Sequence, residues 1–327
     1  MKNVRDSSIE LYRCLMMFGI VFIHCAYCSI GSFTWENVIG RWCVDGFVLI
    51  SGFYGIRHFS FAKIVKLYLT MAFLAFYVSV IAWMLGWNRP TLIELIGIIN
   101  GYWFIHAYVI VMLLAPIINA AAEREDRKKL LFPFIMLVLL WGLVTELPII
   151  GKVIWKTPGV GSFSGLTMAA VYAVGRICRL DEWDKSIRPV WALCLLPILF
   201  AITCIGIRNG EGVWVQGWLG NYASPFSVAI AVLIFILFKR IELPSWLGWV
   251  CLFVAASMFP VYIIHGHPAC FQWMSETIGQ NLSRFPTIGV LLVVSVIVFA
   301  GSVILDMPRR LVIAVLCRSR EYFDKFR

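Results

Sequence analysis

About ten long apolar runs, each closed by charged or turn-forming residues, leave this chain one setting in which it can fold, the lipid bilayer. They cover roughly residues 9 to 30, 38 to 56, 63 to 86, 103 to 122, 130 to 150, 163 to 180, 189 to 208, 219 to 238, 249 to 268 and 287 to 306. A helix needs about 20 such residues to cross hydrocarbon. The mean hydropathy of +0.86, with 61% apolar residues, lies outside the soluble range. The expected fold is therefore an all-α polytopic membrane protein of about ten transmembrane helices. The segment 91 to 100 is too short to cross and is expected to lie in the interface or to re-enter. Residues 1 to 306 read as one transmembrane domain, and the basic stretch 307 to 327 as a cytoplasmic tail able to form an interfacial helix.

Charge then sets orientation. In a soluble protein a net charge of +10 would point to nucleic acid, but here its distribution describes topology. With both termini on one side, that side holds 22 of the 28 basic residues, and only Arg41, Arg89, Lys152, Lys156, Arg208 and Arg284 fall opposite. Such a skew places both termini in the cytoplasm. Lys2 and Arg5 before the first run imitate a secretion signal, yet Asp6, Glu10 and Arg13 interrupt the pattern, so the run is read as an uncleaved span. The ten cysteines fall mostly within spans, where they pack as small apolar groups, and Cys25 and Cys28 form a CxxC without metal-ligand partners at matching spacing. No internal repeat is evident and no metal or bound cofactor is expected.

An ionisable residue inside the bilayer costs at least about 2.5 to 3.5 kcal/mol and is a functional candidate by default. Arg13 and His24 frame ten mostly apolar residues in the first span. Eleven steps of 100° bring them to one helical face, with Cα atoms roughly 16 Å apart at 1.5 Å per residue. Glu10, three residues before Arg13, is its expected partner. His24 and Asp45 lie at similar depth from the outer ends of the first two spans, which predicts an acid/base pair with Asp45 orienting His24. His106, His265 and His267 fall in the same outer half, His58 at the inner side. Arg57, Lys63 and Lys66 join Arg13 around the inner mouths of the first three spans as a candidate phosphate cradle. Ser51 and Gly52 suggest close helix packing, and Trp103 and Phe104 suggest an aromatic belt.

These features together resemble acyltransferase family 3, the membrane proteins that include bacterial O-acetyltransferases of surface polysaccharides. The resemblance rests on E-L-Y-R from Glu10 to Arg13, the Arg13-x10-His24 spacing and V-D-G-F-V-L-I-S-G-F from Val44 to Phe53. W-F-I from Trp103, V-Y-I-I-H ending at His265 and I-L-D-M-P-R-R from Ile304 to Arg310 follow in order. It implies a bacterial inner-membrane enzyme that passes an acyl group, above all acetyl, from acyl-CoA to a hydroxyl of a cell-surface or lipid-linked glycan. Arg13 and His24 would be essential, with Asp45 beside them; Arg57, Lys63 and Lys66 would meet the CoA phosphates, and His265, His106 and Trp103 are acceptor-side candidates. Two positions depart from the family pattern. Lys63 and Lys66 stand where an arginine pair is usual, keeping charge but losing the bidentate fork, and Cys14 stands where glycine is favoured. A translocator of lipid-linked sugars or other polar solutes is the rival reading, since intramembrane charges also line transport paths.

Overall fold

The computed structural model describes residues 6–30, 36–56, 59–86, 91–144, 164–209, 219 and 221–324. The helices run in order as α1 (Ser7–Ile30), α2 (Glu36–Tyr54), α3 (Phe61–Met84), α4 (Leu92–Asn100), α5 (Trp103–Ala122) and α6 (Arg127–Val144). Next come α7 (Gly165–Leu180), α8 (Trp183–Ser186), α9 (Pro189–Asn209), α10 (Pro225–Phe238) and α11 (Ser245–Ala255). The last four are α12 (Met258–His265), α13 (Pro268–Asn281), α14 (Thr287–Leu305) and α15 (Met307–Asp324). Among the described residues no strand occurs.

A helix occupies each of the ten expected segments. Among the described residues, five stretches are long and apolar enough to cross a membrane by themselves: Ser7–Ser29, Phe61–Met84, Trp103–Ala122, Pro189–Ile207 and Thr287–Val315. The pair α11 and α12 makes a sixth if counted as one bent span. The remaining helices combine charge or short length with apolar faces within the described residues. Helix α2 carries Glu36, Arg41 and Asp45, α6 opens on Arg127, Lys128 and Lys129, and α7 and α10 have only 16 and 14 residues. The chain is thus an all-helical membrane protein.

The expected ninth span, 249 to 268, is corrected: it is broken and bends by 47° between α11 and α12. Pro260 has no N–H to give the carbonyl of Ala256, so the α-helical ladder cannot run through this point. A clasp holds the break. Ser257 Oγ donates to Asp306 Oδ2 at 2.7 Å, and Arg309 donates to the same carboxylate. Arg310 donates to the Phe253 carbonyl at 2.9 Å and lies over that residue's ring. The I-L-D-M-P-R-R stretch therefore fastens the broken span to the junction of α14 and α15.

Helix α1 packs against α2 and against α10 to α14, which makes it the axis of the bundle. Helix α2 crosses α7 where two glycines meet. A Cβ on Gly52 would stand 2.1 Å from the Tyr172 carbonyl oxygen, and one on Gly175 would stand 2.3 Å from that of Leu49. Only bare backbone permits this approach, the device by which small residues bring membrane helices together. Below it, Gly55 ends α2 at φ +74, a left-handed cap that favours glycine. The Tyr172 hydroxyl accepts the next amide, Ile56 N–H, and donates to Asn119, tying α2, α5 and α7. Helix α4 opens with a capping box of Thr91 and Glu94 and buries no side chain. At nine residues it rises only about 14 Å and cannot cross.

Candidate active site

One stripe of α1, Arg13, Met17, Ile20 and His24, follows the i, i+4, i+7, i+11 rhythm and lines a cavity of about 280 Å³. Val44, Phe47 and Ser51 face it from α2, Trp103, Phe104 and Tyr108 from α5, and Tyr222, Met258 and Tyr262 close it. The shared face expected for Arg13 and His24 is thus also a shared cavity, with a cation at one end and an imidazole at the other. A second cavity, about 220 Å³, has Ile20, His24, Val44, Trp103 and Tyr222 in its wall too, and adds Tyr27, Arg41 and Phe271. His24 stands where the two adjoin.

Hydrogen bonding fixes the protonation pattern of His24. His265 is wholly buried, and its Nδ1 lies 2.6 Å from the Val261 carbonyl, an acceptor that requires the proton on Nδ1. His265 Nε2 then carries a lone pair. It lies 2.9 Å from His24 Nδ1, which must donate. The remaining nitrogen, His24 Nε2, is unprotonated in the neutral pair and is the one left for the cavities. A general base needs this tautomer. Phe271, 5.1 Å away between ring centroids, braces the other side of the imidazole.

Asp45 does not take the orienting role expected of it. It is fully buried and accepts from Ser227 of α10 at 2.6 Å, with no hydrogen bond to His24. Equal depth does not imply equal azimuth: Val44, Phe47 and Ser51 form the face of α2 toward the cavity, and Asp45, one residue past Val44, is rotated about 100° toward α10. His265, 241 positions along the chain, occupies the place instead. Its depth in the outer half and the V-Y-I-I-H motif had pointed to His265 as an acceptor-side candidate, but not to its bond with His24.

Arg13 meets Glu10 at 3.4 Å as expected, while its Nε is buried with no hydrogen-bond partner among the described residues. Ser51 Oγ donates to the Phe47 carbonyl at 3.1 Å and so accepts from the Tyr108 hydroxyl at 3.0 Å; among the described residues no histidine or carboxylate bonds it. The lysine pair is divided. Lys63 is one turn before Leu67, which lines the 280 Å³ cavity, whereas Lys66 lies in a separate groove with Arg309. Arg57 and His58 fall outside the described residues. His106 bonds the Tyr68 hydroxyl at 2.8 Å, and His267 caps α13 and bonds Ser79 at 3.0 Å. Neither lines the two cavities. Trp103 belongs to both cavity walls rather than to an outer belt, 5.2 Å from the Tyr222 ring. Tyr222 and Phe271 were not anticipated, since a single aromatic residue in an apolar run carries no spacing signal. Cys25 and Cys28 pack against Met274 and the Phe271 carbonyl of α13, and among the described residues no cluster could hold a metal ion.

Outside the spans, Asp181 follows α7 and receives Arg127 and Lys128, each at 2.8 Å or less. Burial raises its pKa, but these two charged hydrogen bonds outweigh it and hold the carboxyl below its ordinary value.

The fold and the site together are those of a helical membrane bundle with a tautomer-fixed histidine between two adjoining cavities. The family model for an acyltransferase domain, acyltransferase family 3, matches residues 6–307, and the chain belongs to that family. No curated protein and no solved structure matches it. The protein is a membrane-embedded acyltransferase.

Proposed function

We propose that the protein transfers an acyl group, above all acetyl, from acyl-CoA to a hydroxyl of a cell-surface or lipid-linked polysaccharide in the bacterial inner membrane. One observation carries this reading: His24 offers a lone pair on Nε2 at the junction of two cavities, one ending at Arg13 and one walled by aromatic rings. The ten helices cross the membrane with both termini in the cytoplasm, which places Arg13 toward the CoA pool and Arg41 on the far side.

The donor's thioester arm occupies the 280 Å³ cavity. Arg13, which lines that cavity, meets a phosphate or carbonyl of the donor, and Lys63 attracts the CoA phosphates at the mouth. The acceptor sugar stacks in the 220 Å³ cavity between Trp103, Tyr222 and Phe271. His24 Nε2 takes the proton of the sugar hydroxyl as its oxygen attacks the thioester carbonyl. The C–S bond breaks, and the proton passes from the imidazolium to the departing thiolate. The positive charge that forms on His24 is stabilised through the Nδ1–H···Nε2 bond to His265. General base catalysis of this kind contributes about 10² to 10⁴-fold.

A purified, reconstituted chain given radiolabelled acetyl-CoA and a membrane glycan fraction is expected to label the glycan. Arg13→Ala should raise KM for the donor. Unchanged donor KM in that variant would remove Arg13 from the donor site, and a protein that neither binds nor hydrolyses acyl-CoA would favour a translocator.

A further inference from the structure

A groove of about 560 Å³ runs between α3 and the first turns of α15. Its apolar wall is Phe61, Leu69, Phe73 and Ile313, and its cations are Lys66 and Arg309. Ala62, Lys66, Leu69 and Phe73 recur at helical spacing, so they form one face of α3. That face is bare: Phe61, Leu69 and Phe73 are 70%, 65% and 52% exposed, which in a spanning helix means exposed to lipid. Lys66 lies a turn inside the span and forms no ion pair among the described residues. A lysine in that position needs a counter-charge or a route to water. Arg309 uses Nε and Nη2 on Asp306, which leaves Nη1 for a ligand.

We infer that this groove binds one anionic glycerophospholipid, its phosphate on Lys66 and Arg309 and an acyl chain along Leu69 and Phe73. The complement is one of shape and charge together. Lys66 lies about 7.5 Å along α3 from Phe61 at the start of the helix, and the apolar wall continues from Lys66 for about 10 Å to Phe73. Acidic lipids on the basic side of a membrane are drawn to such residues. The same phosphate chemistry occurs in the acyl-CoA donor, but Lys66 is outside the cavity that contains Arg13 and His24, and the groove opens sideways into hydrocarbon.

The test is native mass spectrometry of the full chain released from nanodiscs of mixed phosphatidylcholine and phosphatidylglycerol. Retention of phosphatidylglycerol over phosphatidylcholine is expected, falling about five-fold in Lys66→Gln, the factor for one basic residue at an anionic surface. Lys66→Arg should keep the preference, and so should Lys128→Gln, which alters a cation paired with Asp181 elsewhere. Equal retention of the two lipids by the unaltered chain would overturn the inference, as would an unchanged preference in Lys66→Gln. Displacement of the lipid by excess CoA would assign the groove to donor phosphates and overturn it as well.

Discussion

At the scale of single residues, the group that holds His24 decides which of its nitrogens carries the lone pair. A base is useful only in the tautomer that exposes its lone pair, and the carbonyl of Val261 sets that tautomer through His265. His265→Ala is therefore expected to lower kcat about 10²-fold, the cost of a misplaced catalytic group, with little change in donor KM. His265→Gln should recover part of the loss, because its amide oxygen can still accept from His24 Nδ1. Equal losses in both variants would mean that His265 only fills space. Asp45→Asn, which keeps an acceptor for Ser227, is expected to leave kcat near that of the parent; a loss as large as that of His265→Ala would return Asp45 to the catalytic group. Arg13 and His24 were legible in sequence because a charge in hydrocarbon is conspicuous and their spacing is local. The partner of His24 was not, because depth along a helix can be counted from one sequence, whereas azimuth toward a distant helix depends on packing.

At the scale of elements, helix positions were readable from hydropathy, and the functional irregularities were not. The crossing of α2 and α7 depends on Gly52 and Gly175, of which only Gly52 had been marked for packing. Gly175→Val should destabilise the bundle by about 1 to 3 kcal/mol, the usual range for overpacking, read as a lower unfolding midpoint in detergent; an unchanged midpoint would contradict the contact. The break between α11 and α12 had a sequence signal in Pro260, but a proline in an apolar run often produces only a bend. What makes it a break with a fixed geometry is the clasp of Ser257, Asp306 and Arg309, residues 49 or more positions apart in the case of the serine and aspartate. That clasp sets the start of α12, and α12 delivers His265 to His24.

At the scale of the whole molecule, the proposed function assigns the cavity that ends at Arg13 to the donor and the aromatic chamber to the acceptor. The basic side also has a stability signature. The carboxyl of Asp181 titrates below its ordinary value of 3.8, so its contribution is present above that pH and is lost as pH falls through the lower, folded value. Asp181→Asn should remove about 1 to 2 kcal/mol at neutral pH and flatten the acid limb of the stability curve; a parallel curve would show that Asp181 is not its source. Trp103 and Tyr222 line both cavities and form the wall between them. Loss of that wall in Trp103→Ala is expected to admit water and raise acyl-CoA hydrolysis in the absence of acceptor. The central claim is that His24 is the base of an acyl transfer, and transfer of labelled acetyl from acetyl-CoA to membrane glycan by the reconstituted chain tests it most directly. The account expects labelled glycan with the unaltered protein and a loss of about 10² to 10⁴-fold in His24→Ala with donor binding retained; full transfer by His24→Ala would contradict it.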